Sequence, residues 1–304
     1  MNRLLKAGPE SGFSLVEILI AVLVMIPIMG AAVSLFNVGT NQHASEQSSI
    51  SANQEARAAL EMMTAEIAQA GSRSDRATVT TGAVSPSASI QSVSVVSTEG
   101  ILVGDWVEIG TGSNLANVRV TAVTGNSISG IFMLSYAAGV PVRLFALPFP
   151  TGIIPPAGTG PNSSVTATTL RFYGVMNHDV INNISAVEYV EYVYDSANDQ
   201  ITRSATPISQ ATKNPAIPFV RNVRPGSVRF ILNTDAMGVV TSVHISMTVM
   251  STWRTGSDFE ETTLATSVSI PSIRAASVLL SETLGFGGVN RLPPTPARVI
   301  AWVN

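Results

Sequence analysis

The sequence predicts an α+β fold: a long N-terminal α-helix, transmembrane over its first half, packed on an antiparallel β-sheet with a small inserted β module. Three observations predict it. An apolar run from Phe13 to Phe36 holds a single charged residue, Glu17. A helical pattern of apolar residues continues beyond that run to Gly71. From Arg73 onward the composition shifts to Ser, Thr, Val, Gly and Asn, with short stretches that alternate at period two.

The apolar run comes first. An α-helix needs about 20 apolar residues to cross a hydrocarbon core, and Phe13 to Phe36 supplies them. Arg3 and Lys6 precede it. By the positive-inside rule they hold residues 1–12 in the cytoplasm and place everything after the helix outside. An ordinary secretory signal is the rival reading, with Ala31-Ala32 as small residues for a cut. Against it, the run is too long for a signal core and a glutamate interrupts its first turn. An ionised side chain at bilayer depth costs roughly 2.5–3.5 kcal/mol even on the lenient insertion scale, so Glu17 needs a partner or a job.

The residues Gly12-Phe13-Ser14-Leu15-Val16-Glu17 resemble the N-terminal motif of type IV prepilins and type II secretion pseudopilins. The resemblance implies a cut between Gly12 and Phe13 by a prepilin peptidase, followed by N-methylation of Phe13. Glu17 then becomes the fifth residue of the mature chain. It also implies that Glu17 of one subunit pairs with the terminal amine of a neighbour in a growing filament. Both charges would then be compensated at low dielectric, where either alone is costly. The other reading, that Glu17 snorkels to the headgroups, stays open.

Pro27 falls inside the apolar helix. It removes one backbone hydrogen bond and bends or loosens the preceding turn. Many members of the family carry a proline somewhat further along. A loosened segment that aids filament packing and a tolerated membrane-helix kink are equally compatible with the sequence.

Beyond Phe36 the chain turns polar but stays helical in pattern. Ile50, Ala56, Leu60, Met63 and Ile67 form one apolar stripe, and Gly71 is a natural stop. Residues 13–72 therefore read as one helix of about 60 residues, or ~90 Å at the α-helical rise. Its second half needs a partner surface, and the β-rich region supplies one.

The exported region, 73–304, divides by pattern. Residues 99–149 look like a β insertion, with strands around Trp106 to Ile109 and Val118 to Val120, and a two-residue hairpin turn at Gly125-Asn126. Thr78 to Val96 reads as a loop or weak strands. Strand candidates then follow at Leu170 to Tyr173, Val187 to Tyr194, Ile201 to Arg203, Val228 to Leu232, Val239 to Met250 and Leu264 to Ile270. Their order implies an antiparallel meander with one buried face. The pattern resembles the larger, W-type minor pilins and the J-type pseudopilins. Residues 284–304, rich in Gly and Pro, read as an irregular tail whose end, Val299 to Val303, is apolar enough to add a strand to a neighbouring sheet.

Enzymatic chemistry finds no foothold. There is no cysteine, so no thiol nucleophile, disulfide or thiolate metal site exists. The histidines, His43, His178 and His244, have no second histidine at metal-ligand spacing. His178-Asp179 is a sequence neighbour pair and not a triad. No phosphate loop, cofactor motif or basic cluster for nucleic acid appears. The net charge is −3, and Arg221, Arg224 and Arg229 form a modest local basic concentration that reads as solvated loop and strand ends.

Taken together, the residues read as a non-enzymatic, single-pass inner-membrane subunit with its C-terminal domain outside. The resemblance implies that it joins a type IV pilus as a minor pilin in priming, assembly or at the tip. Its partners would be the prepilin peptidase, the inner membrane and other major and minor pilins, met through the helix. A type II pseudopilin and a membrane-anchored surface-binding domain that never polymerises are the alternatives.

Overall fold

A computed structural model describes residues 14–155, 165–179, 184–255, 258–285 and 291–303. Helix α1 runs from Leu15 to Ala68. The strands that follow are β1 (Arg76–Val79), β2 (Gln91–Ser94), β3 (Trp106–Ile109), β4 (Ala116–Arg119), β5 (Ala122–Thr124), β6 (Ser127–Gly130) and β7 (Pro141–Leu144). Then come β8 (Ile153–Ile154), β9 (Val165–Ala167), β10 (Thr169–Asp179), β11 (Ile184–Asp195), β12 (Gln200–Pro207) and β13 (Ile217–Val220). The chain closes with β14 (Arg229–Thr234), β15 (Val240–Thr255), β16 (Asp258–Ser269), α2 (Pro271–Gly285) and α3 (Ala297–Val303). It divides into two compact units, residues 1–51 with 251–260, and residues 52–250 with 261–304.

In the second unit the last turns of α1 bury Ala56, Ala59, Met63 and Ile67. These sit at spacings of three, four and four, the period of one helix face. Ile50, a member of the stripe expected from sequence, is 56% exposed. The helix ends four residues before the expected Ser72, and Gly71 takes φ +73°, a left-handed conformation that favours glycine. Its N–H donates to Tyr173 O (2.8 Å), and its carbonyl accepts from Phe149 N (2.9 Å). A Cβ on Gly152 would lie 2.4 Å from Gly71 Cα, and one on Gly174 would lie 2.5 Å from Gln69 O. Three glycines thus let the helix end press against the strands β8 and β10.

The expected single meander is two sheets. One has the order β13-β12-β11-β10-β8, the other β16-β15-β14-β9. Only Thr168 separates β9 from β10, so the chain switches sheets across one residue. Phe172, Val190, Tyr192 and Ile201 of the first sheet share a core with α1 and with Phe230, Leu232, Val243, Ile245 and Met247 of the second. The expectation of one buried face fails for the first sheet. Alternation turns Tyr173, Val187 and Tyr189 to its other side, where they form a separate core with Phe149 and with Val299 of α3. Trp302 packs on Tyr189 with ring centroids 5.6 Å apart.

The tail is therefore corrected. Leu284 and Gly285 end α2, and Ala297–Val303 is helical and not extended. Val299 is fully buried in its own domain, so the apolar end of the chain is already used and not offered as a strand. Helix α2 is absent from the sequence expectations, although Pro271 at its first position and buried Ile273, Ala276 and Ser277 mark it.

The small β module is larger than residues 99–149. It has a sheet β1-β7-β3-β4 and a second sheet β2-β6-β5. Strands β1 and β2 precede residue 99, and Val84, Val93 and Val95 enter the module's core beside Val107, Ile109, Ile128 and Phe132. The Gly125-Asn126 turn joins β5 to β6 as expected, with Gly125 at φ +53°.

Two ion pairs tie the pieces of this unit together. Arg73, just past α1, meets Asp105 of the module bidentately at 2.6 and 2.7 Å, with side chains only 2% and 1% exposed. Arg73 also donates to Gly100 O and lies 4.8 Å from the Phe149 ring centroid, while Leu102 N donates to Asp105. Glu66 on α1 accepts from Tyr192 Oη (2.6 Å) and from the Arg203 guanidinium. Burial drives the Tyr192 hydroxyl pKa well above its usual value, and the Glu66 charge adds to the shift.

Candidate functional site

Of the processing and assembly residues that the sequence singles out, Glu17 and Pro27 lie on α1. Gly12 and Phe13 lie outside the described residues. Glu17 stands in the first turn of α1, the only Asp, Glu, Lys or Arg from Ser14 to Ser45. An 18-residue window of this helix has mean hydropathy 2.7, and none of it is buried inside the chain. Its large apolar side chains from Leu15 to Phe36 range from 50% exposed at Val22 to 81% at Leu15. The helix is long and apolar enough to cross a bilayer.

Such a surface is unstable in water. At about 25 cal/mol per Å² of apolar surface exposed, it favours transfer to lipid or to a protein surface of equal polarity. A helix satisfies its own backbone groups, so it makes that transfer without stranding amides. Thr40 fits the same logic at the first polar turns. Its hydroxyl donates to Phe36 O and Asn37 O, both at 3.0 Å, and so is satisfied on its own helix.

The N-terminus of α1 holds a feature missed from sequence. Val16 N donates to Ser14 Oγ at 3.2 Å, and Ser14 N donates to Glu17 Oε2 at 3.2 Å. This reciprocal arrangement is a capping box, and its signature is legible as Ser14-x-x-Glu17. It satisfies two of the orphan donors that every helix start leaves. The first intrahelical bond follows, from Ile18 N to Ser14 O. Glu17 thus has a local job: its carboxylate is drawn back to the Ser14 N–H. Only Oε2 is engaged in the cap.

Helix α1 passes through Pro27 without interruption. Proline has no N–H, so the carbonyl one turn earlier, that of Leu23, loses its usual donor.

The histidines stand on separate elements. His43 is exposed on α1, and His244 on β15 meets Ser267 Oγ at 2.9 Å. His178 belongs to β10, with its side chain outside the described residues. Among the described residues no group of three or more His, Cys, Asp or Glu is placed to hold a metal ion. Arg224 of the basic concentration pairs with Glu261 at 2.8 Å on an open surface.

No family model, curated protein or solved structure matches this chain.

Proposed function

We propose that this chain is a prepilin-like membrane subunit, processed between Gly12 and Phe13, that enters a type IV pilus as a minor pilin. The observation that carries the reading is the exposed apolar helix with one carboxylate in its first turn. Lipid accepts the apolar surface before assembly, and a bundle of like helices accepts it afterwards. The transfer is nearly neutral in polarity, so helix packing and the pairing of charges decide it.

The capping box sharpens the role of Glu17. Cleavage at Gly12 would leave a cationic amine on Phe13, one residue before the N–H that Glu17 already accepts. Within a lone subunit the carboxylate would be the charge nearest in sequence to that terminus. In a filament its free oxygen serves a neighbour's ammonium, which relieves two charges that are expensive apart. The β-rich domain stays outside and is available to prime assembly or touch a surface. A J-type pseudopilin would use the same helix. A membrane anchor that never polymerises is favoured by one observation, that the cap gives Glu17 a purpose without any neighbour.

Glu17→Ala and Glu17→Gln separate these. Gln retains the acceptor for the cap but not the charge. Both variants are expected to insert and to be processed. Both are expected to fall out of sheared filaments, with Gln no better than Ala. Full recovery of incorporation by Gln would show that capping alone matters and would remove the pairing argument.

A further inference from the structure

The C-terminal segment 291–303 lies in a groove built by two separate parts of the chain. Pro294 sits on Gly104 of the β module, where an added Cβ would lie 2.6 Å from the proline Cδ. Gly104 has φ +96°, so glycine permits both the turn and the close approach. The Arg291 guanidinium lies 5.8 Å from the ring centroid of Trp106 on β3. Thr295 Oγ1 meets Thr151 Oγ1 at 2.7 Å, and Thr151 Oγ1 meets the Tyr173 hydroxyl of β10 at 2.6 Å. Val299 and Trp302 then pack with Phe149, Tyr173 and Tyr189. The first half of the segment thus touches the module, and the second half touches the sheet that holds β10 and β11.

The sequence of the segment dictates its shape. In Leu292-Pro293-Pro294-Thr295-Pro296, three residues precede a proline, which disfavours helical backbone at each of them. The prolines fix φ at about −65° and have no N–H to give to a ladder. Accordingly the stretch is neither helix nor strand until Ala297. An extended proline-rich chain winds with three residues per turn. Pro293, Pro296 and Val299 are buried, while Pro294, Ala297 and Arg298 are exposed. Steps of three share one face in the extended part and in the first helical turn alike. Prolines three apart beside aromatic rings are the pattern by which proline-rich peptides are recognised, because such a ligand is stiff before it binds.

We infer that this groove is a peptide-binding site and that residues 291–303 are its resident ligand, held in cis. Its ligand class is a Pro-x-x-Pro segment with a cation before it and a short apolar helix after it. The cation faces Trp106, the prolines hold the extended shape, and Val299 is the anchor buried among Phe149, Tyr173 and Tyr189. Because the ligand touches both parts, it straps the module to the sheet. The inference concerns the C-terminal segment alone and is independent of the pilin reading.

The test cuts the ligand free after the chain has folded. A site for a specific protease is inserted after Gly288 in the full-length protein, which is purified in detergent, cleaved and dialysed to remove the freed segment. A fluorescein-labelled synthetic peptide of residues 291–304 is added, and its anisotropy is followed to equilibrium. Saturable binding to the cut chain is expected. None is expected with the uncut chain, where the tethered segment competes at an effective concentration of order millimolar. A peptide with Pro293→Ala and Pro296→Ala should bind about tenfold more weakly, since alanine restores the freedom that proline removes. A Val299→Asp peptide should not bind, because it would bury an unpaired charge. The chain has no cysteine, so Thr151→Cys/Thr295→Cys provides a lock: oxidised before cleavage, it should block the peptide, and reduction should admit it. No saturable binding to the cut chain, equal binding by the uncut chain, either altered peptide binding as well as the native one, or binding that survives the oxidised lock would each overturn the inference. If the cut chain loses its near-ultraviolet dichroism, excess peptide is expected to restore it, and failure to do so would overturn the inference equally.

Discussion

Replacing Arg73 with methionine should be among the most damaging single changes in the β-rich region. Arg73 and Asp105 are almost fully buried, and their bidentate bonds are 2.6 and 2.7 Å long. Methionine keeps the volume of the stem and its contact with the Phe149 ring but leaves Asp105 charged, with the Leu102 N–H as its remaining side-chain partner among the described residues. Breaking one side of a buried pair costs about 3–5 kcal/mol. At about 2–4 °C per kcal/mol for a domain of this size, the midpoint should fall by roughly 6–20 °C. Thermal unfolding of the full chain in detergent, followed by near-ultraviolet dichroism, measures it. Arg73→Met/Asp105→Leu removes both charges and should recover much of the loss, because the penalty lies in the orphaned charge and not in the missing attraction. A single variant within about 2 °C of the parent would refute the reasoning. So would a double variant that loses the sum of both singles.

Other outcomes follow from the same packing. Gly174→Ala places a Cβ 2.5 Å from Gln69 O and 3.0 Å from Gly71 N, so it should destabilise by about 1–3 kcal/mol through overpacking, read as a lower midpoint in the same assay. Glu188 is half-buried. Burial raises its carboxyl pKa, Arg203 opposes the shift and Glu66 adds to it. A raised native value gives stability that is present at acid pH and lost as pH climbs through it. Glu188→Gln should therefore raise the midpoint at pH 7 and leave it unchanged near pH 4; an equal gain at both would exclude the charge as the cause. The filament-incorporation result for Glu17→Ala and Glu17→Gln completes the set.

Local signals in the sequence carry most of α1, the Gly71 stop and the Gly125-Asn126 turn, because each rests on neighbours within a few residues. The long strands are legible for the same reason: Val187 to Tyr194 alternates along its whole length. What the sequence hides depends on distant parts of the chain. Strands β1 and β2 are short and polar, and they become strands only by pairing with β7 and β6. The switch at Thr168 leaves no mark in composition. Helix α3 has seven residues, too few for its period to stand out, and Val299 is inside only because Phe149, Tyr173 and Tyr189 surround it. At the site the balance reverses. The apolar run and Glu17 are plain, and the capping box is written in Ser14-x-x-Glu17. A lone glutamate in an apolar run nevertheless reads first as a charge and only second as a backbone acceptor.

The start of the mature chain is the most direct test of a prepilin-like subunit. Protein recovered from native membranes, digested and sequenced by mass spectrometry, should yield an N-terminal peptide that starts at Phe13 with one added methyl group. A peptide that starts at Met1, or one cut after Ala32, would contradict it.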